Sequence, residues 1–147
     1  VAATLRAFQP RIRQAAVNVQ VSVEPDLPEV MTDRIGIEVV LHNLVSNALD
    51  ALGEIAGVRR LEIGVRRDGN GIVIDVDDSG PGCSADVRSR LFEPFVTTKP
   101  DGMGLGLSIS RSLLRSQGGD LWALPSVLGG ARFSLRVPDR PVAQTAV

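Results

Sequence analysis

The chain has one cysteine, Cys83, and one histidine, His42, among 147 residues. A lone cysteine excludes an internal disulfide and fits a reducing cytoplasm, the location we expect. A lone histidine excludes a His-rich zinc site. There is no long basic run: 16 Lys and Arg stand against 17 Asp and Glu, for a net charge of −1. Nucleic acid and anionic membrane are therefore not implied partners. No apolar run approaches the length needed to cross a bilayer, and the first residues do not read as a signal peptide. A longer, membrane-anchored parent protein remains compatible with those absences. No internal repeat occurs. What is present, 44% hydrophobic residues, suits one domain with one core and no need of disulfides or structural metal.

The opening stretch, residues 4–15, is weakly helical. From Val17 the period becomes two: Val17, Val19, Val21 and Val23 alternate with Asn18, Gln20, Ser22 and Glu24, which predicts a half-buried strand. Asp33 offers a cap for a long helix in which Ile37, Val40, Leu41, Leu44, Ala48 and Leu52 recur at helical spacing, closed by Gly53 or Gly57. Leu61, Ile63 and Val65 alternate, Asp68-Gly69-Asn70-Gly71 turns, and Ile72, Ile74 and Val76 alternate, which predicts a hairpin. A short helix is expected near Ala85–Arg90 and a second long one over about residues 104–117. A strand over 121–124, a turn at Leu128-Gly129-Gly130 and a last strand at Ala131, Phe133, Leu135 and Val137 follow. The fold class predicted is α+β: a two-layer sandwich with a mixed, mostly antiparallel sheet covered on one face by helices. Residues 17–138 form the domain, 1–16 the end of a linker, and 139–147 a frayed tail.

Asn43, Asn47 and Asp50 are spaced i, i+4, i+7 and share one helix face, distinct from the apolar stripe. Asn47 and Asp50 offer hard oxygens, which suit Mg2+ and its water; a solvated polar face, the commoner case on amphipathic helices, is the other reading of the same pattern. His42 beside them is read as a surface or partly packed residue rather than a phosphoacceptor. Glu38 falls about 180° around the helix from Asn47 and is not counted as a base.

Asp77-Asp78-Ser79-Gly80-Pro81-Gly82 follows a strand directly. A carboxylate there can accept a hydrogen bond from an exocyclic amine such as that of adenine, and Gly80 and Gly82 let backbone approach a flat ring; an ordinary Asp/Gly turn is the alternative. Cys83 is expected to pack. Gly102-Met103-Gly104-Leu105-Gly106-Leu107 opens the second long helix, where free amides and the dipole favour phosphate. It is neither a P-loop nor a Rossmann fingerprint; it reads as a hinge or as a lid over nucleotide. Phe92-Glu93-Pro94-Phe95 is read as core plugs or as an exposed docking patch. Thr97, Thr98 and Lys99 add hydroxyls and a cation, and Lys99 either pairs with a terminal phosphate or is solvated.

Together these segments resemble a known family. Residues 38–51 resemble the asparagine box of two-component sensor histidine kinases. Asp78-x-Gly80-x-Gly82 resembles their first glycine box, Phe92-Glu93-Pro94-Phe95 their phenylalanine box, and Gly102-x-Gly104-x-Gly106-Leu107 their second glycine box. The order and spacing agree over residues 17–137, and residues 91–119 are most similar to the nitrogen- and dicarboxylate-responsive branch. The resemblance implies a Bergerat ATP-binding fold, with Asn47 on Mg2+, Asn43 at the phosphates and Asp78 on the adenine amine. Gly104 to Leu107 would cap the triphosphate, with residues 79–103 as its lid. The nucleotide-binding set so implied is Asn43, Asn47, Asp50, Asp78, Gly80, Gly82, Thr97, Thr98, Lys99, Gly102, Gly104, Leu105, Gly106 and Leu107, with Asn43 and Lys99 catalytic.

By the same resemblance, hydrolytic relatives carry a Glu one turn before the metal Asn; here Asn43 holds that place and cannot act as a carboxylate base. That fits an ATP-dependent histidine kinase, in which a neutral imidazole attacks and catalysis is positioning plus charge neutralisation. In one departure, many members carry Lys or Arg and then an aromatic where this chain has Asp50 and Ala51. The implied partners are a dimerisation domain of the same parent, bearing the phosphoacceptor histidine, and a response regulator. The fragment is expected to be monomeric, the parent a homodimer, and the fragment to bind ATP without autophosphorylating alone. The alternatives are a degenerate ATP-binding module that docks partners through Phe92 and Phe95, and an ATPase of the gyrase type or a serine kinase of the anti-sigma type.

Overall fold

The structure is a computed structural model and describes residues 1–30, 32–94 and 106–139. The elements run α1 (Ala2–Ala7), α2 (Gln9–Gln14), β1 (Val17–Val23), α3 (Arg34–Leu52), β2 (Arg59–Asp68), β3 (Gly71–Asp78), α4 (Ala85–Arg90), α5 (Gly106–Ser116), β4 (Asp120–Pro125) and β5 (Ala131–Val137). The five strands form one sheet in the order β1-β2-β3-β5-β4. β1 runs parallel to β2, since α3 crosses between them; the other neighbours are antiparallel. The two-layer α+β sandwich expected from the sequence is the fold observed.

α3 starts where the Asp33 carboxylate accepts from the Ile35 amide at 3.0 Å, satisfying one free donor of the first turn. Gly53 ends it. Its buried face, Val40, Leu41, Leu44, Val45, Ala48, Leu49 and Leu52, lies against Leu61, Ile63, Ile74, Val76, Phe133 and Leu135 of the sheet. Each fully buried Leu or Val contributes roughly 1.5–3 kcal/mol, so this helix organises the core. By length and mean hydropathy (1.2) alone, α3 would qualify as a membrane span, which corrects the reading that no segment approaches one. Here its apolar face packs on the sheet, and its outer face mixes Arg34, Glu38 and His42 with exposed Ile35 and Val39. α5 lies antiparallel across α3. Gln117, just past its end, accepts from the Asp33 amide at 3.0 Å and hydrogen-bonds the Thr32 hydroxyl.

α1 and α2 pack on α3 and β1, and Phe8 between them and Ile12 of α2 belong to the buried core. The opposite face of the sheet carries no helix among the described residues. Its buried carboxylates are answered by neighbouring side chains instead: Asp75 accepts from Ser134 Oγ at 2.6 Å and Arg66 Nε at 2.9 Å.

Candidate functional site

β3 ends on Asp78, which is 2% exposed. Its Oδ1 accepts from the Gly80 amide at 2.9 Å and from the Ala131 amide at 3.3 Å. Both hydrogen bonds given to this carboxylate by described residues fall on one oxygen, which leaves Oδ2 as the acceptor for an outside donor. Burial, the largest influence, pushes the Asp78 carboxyl above its ordinary value, partly offset by the Gly80 and Ala131 amides. Gly80 is required at its place: a Cβ there would lie 2.9 Å from Asp78 Oδ1 and 3.0 Å from Ala51 Cβ. A Cβ on Gly130 would overlap the same Asp78 oxygen. The carboxylate thus sits in a slot of bare backbone, against the end of α3 at Ala51.

Asp77, the preceding residue, points to the other face. It receives Arg132 Nε at 2.9 and 3.1 Å on its two oxygens and Ser126 Oγ at 2.7 Å. Arg132 is its register partner on β5. This pair, buried on its Asp77 side, ties down both ends of the β4–β5 turn, and that turn delivers the Gly130 and Ala131 amides to Asp78.

Asn43 lies at the other end of the α3 polar face. Its Nδ2 donates to Ser110 Oγ on α5 at 3.1 Å. A Cβ on Gly106 would stand 2.7 Å from Asn43 Oδ1, so the first turn of α5 meets Asn43 with no side chain between. Asn47 is half-buried one turn further along. α3 therefore carries Asn43 beside the start of α5 and Ala51 beside Asp78, with Asn47 between them. Asp50, on the same face, pairs with Arg11 Nη2 at 2.8 Å.

Gly82 adopts φ 69° and lines a cavity of about 110 Å3 with Cys83, Arg88, Leu91 and Ala123, of which Asp78 is not a wall. Leu107 is partly buried against the core. Thr97, Thr98, Lys99, Gly102, Gly104 and Leu105, like Phe95, lie outside the described residues. Phe92 packs partly buried against the core, with the Arg111 guanidinium 4.6 Å over its ring. His42 stacks on Phe8, ring centroids 4.5 Å apart, and Glu38 pairs with Arg34 on α3 itself at 3.0 Å. Cys83 corrects an expectation: it is exposed rather than packed, because the chain has left the sheet and turned at Gly82. Ser79, taken as the start of a lid, is fastened to β2, accepting from the Arg60 amide at 2.8 Å and donating its own amide to the Arg60 carbonyl at 3.1 Å.

Sequence reasoning missed Gly130, Ala131 and Ser110. The Gly129-Gly130 pair was legible only as a turn, and nothing local tells that the Ala131 amide just after it reaches a carboxylate 53 residues away.

Residues 32–141 match the family of histidine kinase-, DNA gyrase B- and HSP90-like ATPases. The chain belongs to that family, and the slot at Asp78 and the polar face of α3 lie in its nucleotide-binding domain. It is 38% identical over 126 residues to the sensor protein FixL of Bradyrhizobium diazoefficiens, covering 86% of this chain and 25% of that protein. It is 39% identical over 140 residues to the C4-dicarboxylate transport sensor protein DctS of Rhodobacter capsulatus, covering 93% and 21%. The chain thus spans about a fifth to a quarter of the length of these relatives. Among solved structures it resembles the nucleotide-free catalytic domain of the histidine kinase ThkA, with TM-score 0.84 and 28% identity over 95% of this chain and 92% of that one. The same kinase in complex with the response regulator TrrA matches with TM-score 0.82 and 27% identity, covering 97% of this chain and 40% of that one.

Proposed function

We propose that the chain is the ATP-binding catalytic domain of a cytoplasmic sensor histidine kinase module. It would present the γ-phosphoryl group of ATP to a histidine on a separate dimerisation domain of the same parent, for relay to a response regulator. The observation that carries this reading is α3 itself: one helix holds Asn43 against the start of α5 and Ala51 against the Asp78 slot. A ligand that satisfies both ends needs an amine donor at one and an anion at the other, as a purine nucleoside triphosphate has.

Asp78 Oδ2 would accept from the adenine amine, while the bare backbone of Gly80 and Gly130 admits the ring plane. The phosphates would run along Asn47 and Asn43 toward the first turn of α5, where amides and dipole favour negative charge. Thr97, Thr98, Lys99, Gly102, Gly104 and Leu105 are proposed to close over them. Asn47 supplies a hard amide oxygen, and among the described residues no cluster of three carboxylate, His or Cys ligands could cage a metal alone. That donor set suits Mg2+, which takes few protein oxygens and completes its shell with phosphate and water. When bound, Mg2+ would neutralise phosphate charge. Asn43 would hold a phosphate oxygen by its amide without activating water, so ATP persists until an imidazole arrives.

The test is transfer. The chain is mixed with radiolabelled ATP, Mg2+ and a separately produced histidine-bearing dimerisation domain of a dicarboxylate-type sensor kinase. Label on the histidine supports the kinase; ATP binding with no label moves the reading to a binding-only module, and rapid phosphate release by the chain alone moves it to an ATPase.

A further inference from the structure

We propose that Ser110 of α5 is a positioning residue: its buried hydroxyl sets the orientation in which the Asn43 amide meets a phosphate, and so tunes phosphoryl transfer without touching the ligand. The inference rests on the nucleotide reading above and deepens it.

An Asn side chain does not orient itself. Its last torsion joins an sp3 to an sp2 carbon and is broad, so a partner has to set the amide plane. For Asn43 that partner comes from another element. Nδ2 donates to Ser110 Oγ at 3.1 Å, across 67 positions of sequence. Ser110 is 2% exposed, while Asn43 is half-buried. The hydroxyl is shut away from solvent, and the amide it holds stands at the edge of solvent.

Gly106 and Ser110 are i, i+4 on α5, so they lie one above the other on the same face. A Cβ on Gly106 would stand 2.7 Å from Asn43 Oδ1 and 2.9 Å from its Nδ2. The amide therefore lies along the first turn of α5, with bare backbone beside it at 106 and the hydroxyl holding it at 110. Gly106 gives the room and Ser110 the direction. The fold itself has little need of that hydroxyl. Ala is the better helix former, and the Nδ2 of a half-buried Asn can turn to water. The effect of Ser110 falls instead on where Asn43 points. Displacing an aligning group by about 1 Å costs rate out of proportion to affinity.

Mg-ATP and adenosine are titrated calorimetrically into the chain and its Ser110→Ala, Ser110→Thr, Ser110→Val, Asn43→Ala and Ser110→Ala/Asn43→Ala variants. Label transfer to the separate histidine-bearing domain is timed for each. Ser110→Ala is expected to keep its melting temperature and to bind adenosine within about twofold of the original. It should bind Mg-ATP about threefold more weakly and lower the transfer kcat about tenfold. Thr and Val have nearly the same shape, so packing strain cancels between them; Ser110→Thr is expected to transfer about fivefold faster than Ser110→Val. In the Asn43→Ala chain, Ser110→Ala should change nothing further. The proposal is overturned if Ser110→Ala binds and transfers as the unaltered chain does, or if Thr is no better than Val. It is equally overturned if the loss is as large with Asn43 gone as with it present, since that marks a merely structural serine. Where Mg-ATP binds but no histidine is labelled, the same order is required of Mg-ATP affinity: Thr above Val, and no further loss in the Asn43→Ala chain. An unaltered chain that binds no Mg-ATP brings down the nucleotide reading and this inference with it, an outcome distinct from binding that ignores Ser110.

Discussion

The Gly130 amide donates to the Asp78 carbonyl oxygen at 3.2 Å, and the space a Gly130 side chain would fill is taken by the Asp78 carboxylate. The residue proposed to read adenine and the turn that holds that residue are therefore in backbone contact. Gly130→Ala forces a methyl into an oxygen that cannot withdraw, since that carboxylate is itself pinned by two amides. The expected cost is about 1–3 kcal/mol of stability, as for other overpacked sites. Purine binding should be lost even where the fold survives at low temperature. Urea denaturation and adenosine titration at about 10 °C check the two halves separately; a variant as stable and as tightly binding as the parent would contradict the packing.

Asp78 carries a charge in a place that disfavours it, and the sign of the consequence follows. Burial raises its folded pKa above the ordinary value. Between those two values the folded state holds more protons than the unfolded, so stability falls as pH rises through that window. Asp78→Asn removes the ionisable group while keeping an oxygen to accept from Gly80 and Ala131. It is expected to raise the melting temperature at neutral pH, to give no gain at pH values below the ordinary carboxylate range, and to abolish most Mg-ATP binding. In the unaltered chain, ATP affinity should fall on acidification at a pH above the ordinary Asp midpoint. A variant less stable than the parent at neutral pH would contradict the burial argument.

The contrast between Asp78 and Asp77 shows what the sequence revealed and what it did not. The strand alternations at 17–23, 61–65, 72–76 and 131–137, the cap at Asp33 and the short helix at Ala85–Arg90 all lie where the pattern put them, because each is decided by local periodicity. Asp78 was legible as a carboxylate at a strand end followed by glycines. Asp77 read as part of the same turn, although it is a buried strand residue facing away, and its partner Arg132 lies 55 positions on. Arg11 and Asp50 are 39 positions apart. Such pairs are made by strand order and helix docking, which no window of sequence contains. Phe8 and Ile12 were invisible as core for a different reason: Phe8 joins two helices of only six residues each and Ile12 lies in the second, too short for a stripe to declare itself.

The Asp77–Arg132 pair can be tested as the support of the slot. Asp77 is 6% exposed at its side chain and Arg132 33%. Arg132→Gln leaves a buried carboxylate with Ser126 as its remaining side-chain partner, and truncating one partner of such a pair costs more than the pair contributes. About 2 kcal/mol of stability is expected to be lost, discounted from a fully buried pair because Arg132 is partly solvated. Adding Asp77→Asn should recover part of that loss. Chemical denaturation of the two single variants and the double forms the cycle; additive losses with no recovery would show that the two side chains do not act on each other.

Gly106 separates binding from folding at the opposite end of α3. An added Cβ would stand 2.7 Å from Asn43 Oδ1 and 2.9 Å from its Nδ2. These atoms end a side chain that can swing aside, so Gly106→Ala should leave the melting temperature nearly unchanged; Ala also favours the helix. Asn43 would lose its contact with Ser110 and its place beside the start of α5. On the proposed reading Mg-ATP affinity then falls by about tenfold, the order of one lost phosphate-side hydrogen bond, while adenosine binding at the Asp78 end is spared. Differential scanning calorimetry and paired titrations with Mg-ATP and adenosine decide it. Equal weakening of both ligands would mean that the two ends of α3 do not serve separate parts of one nucleotide.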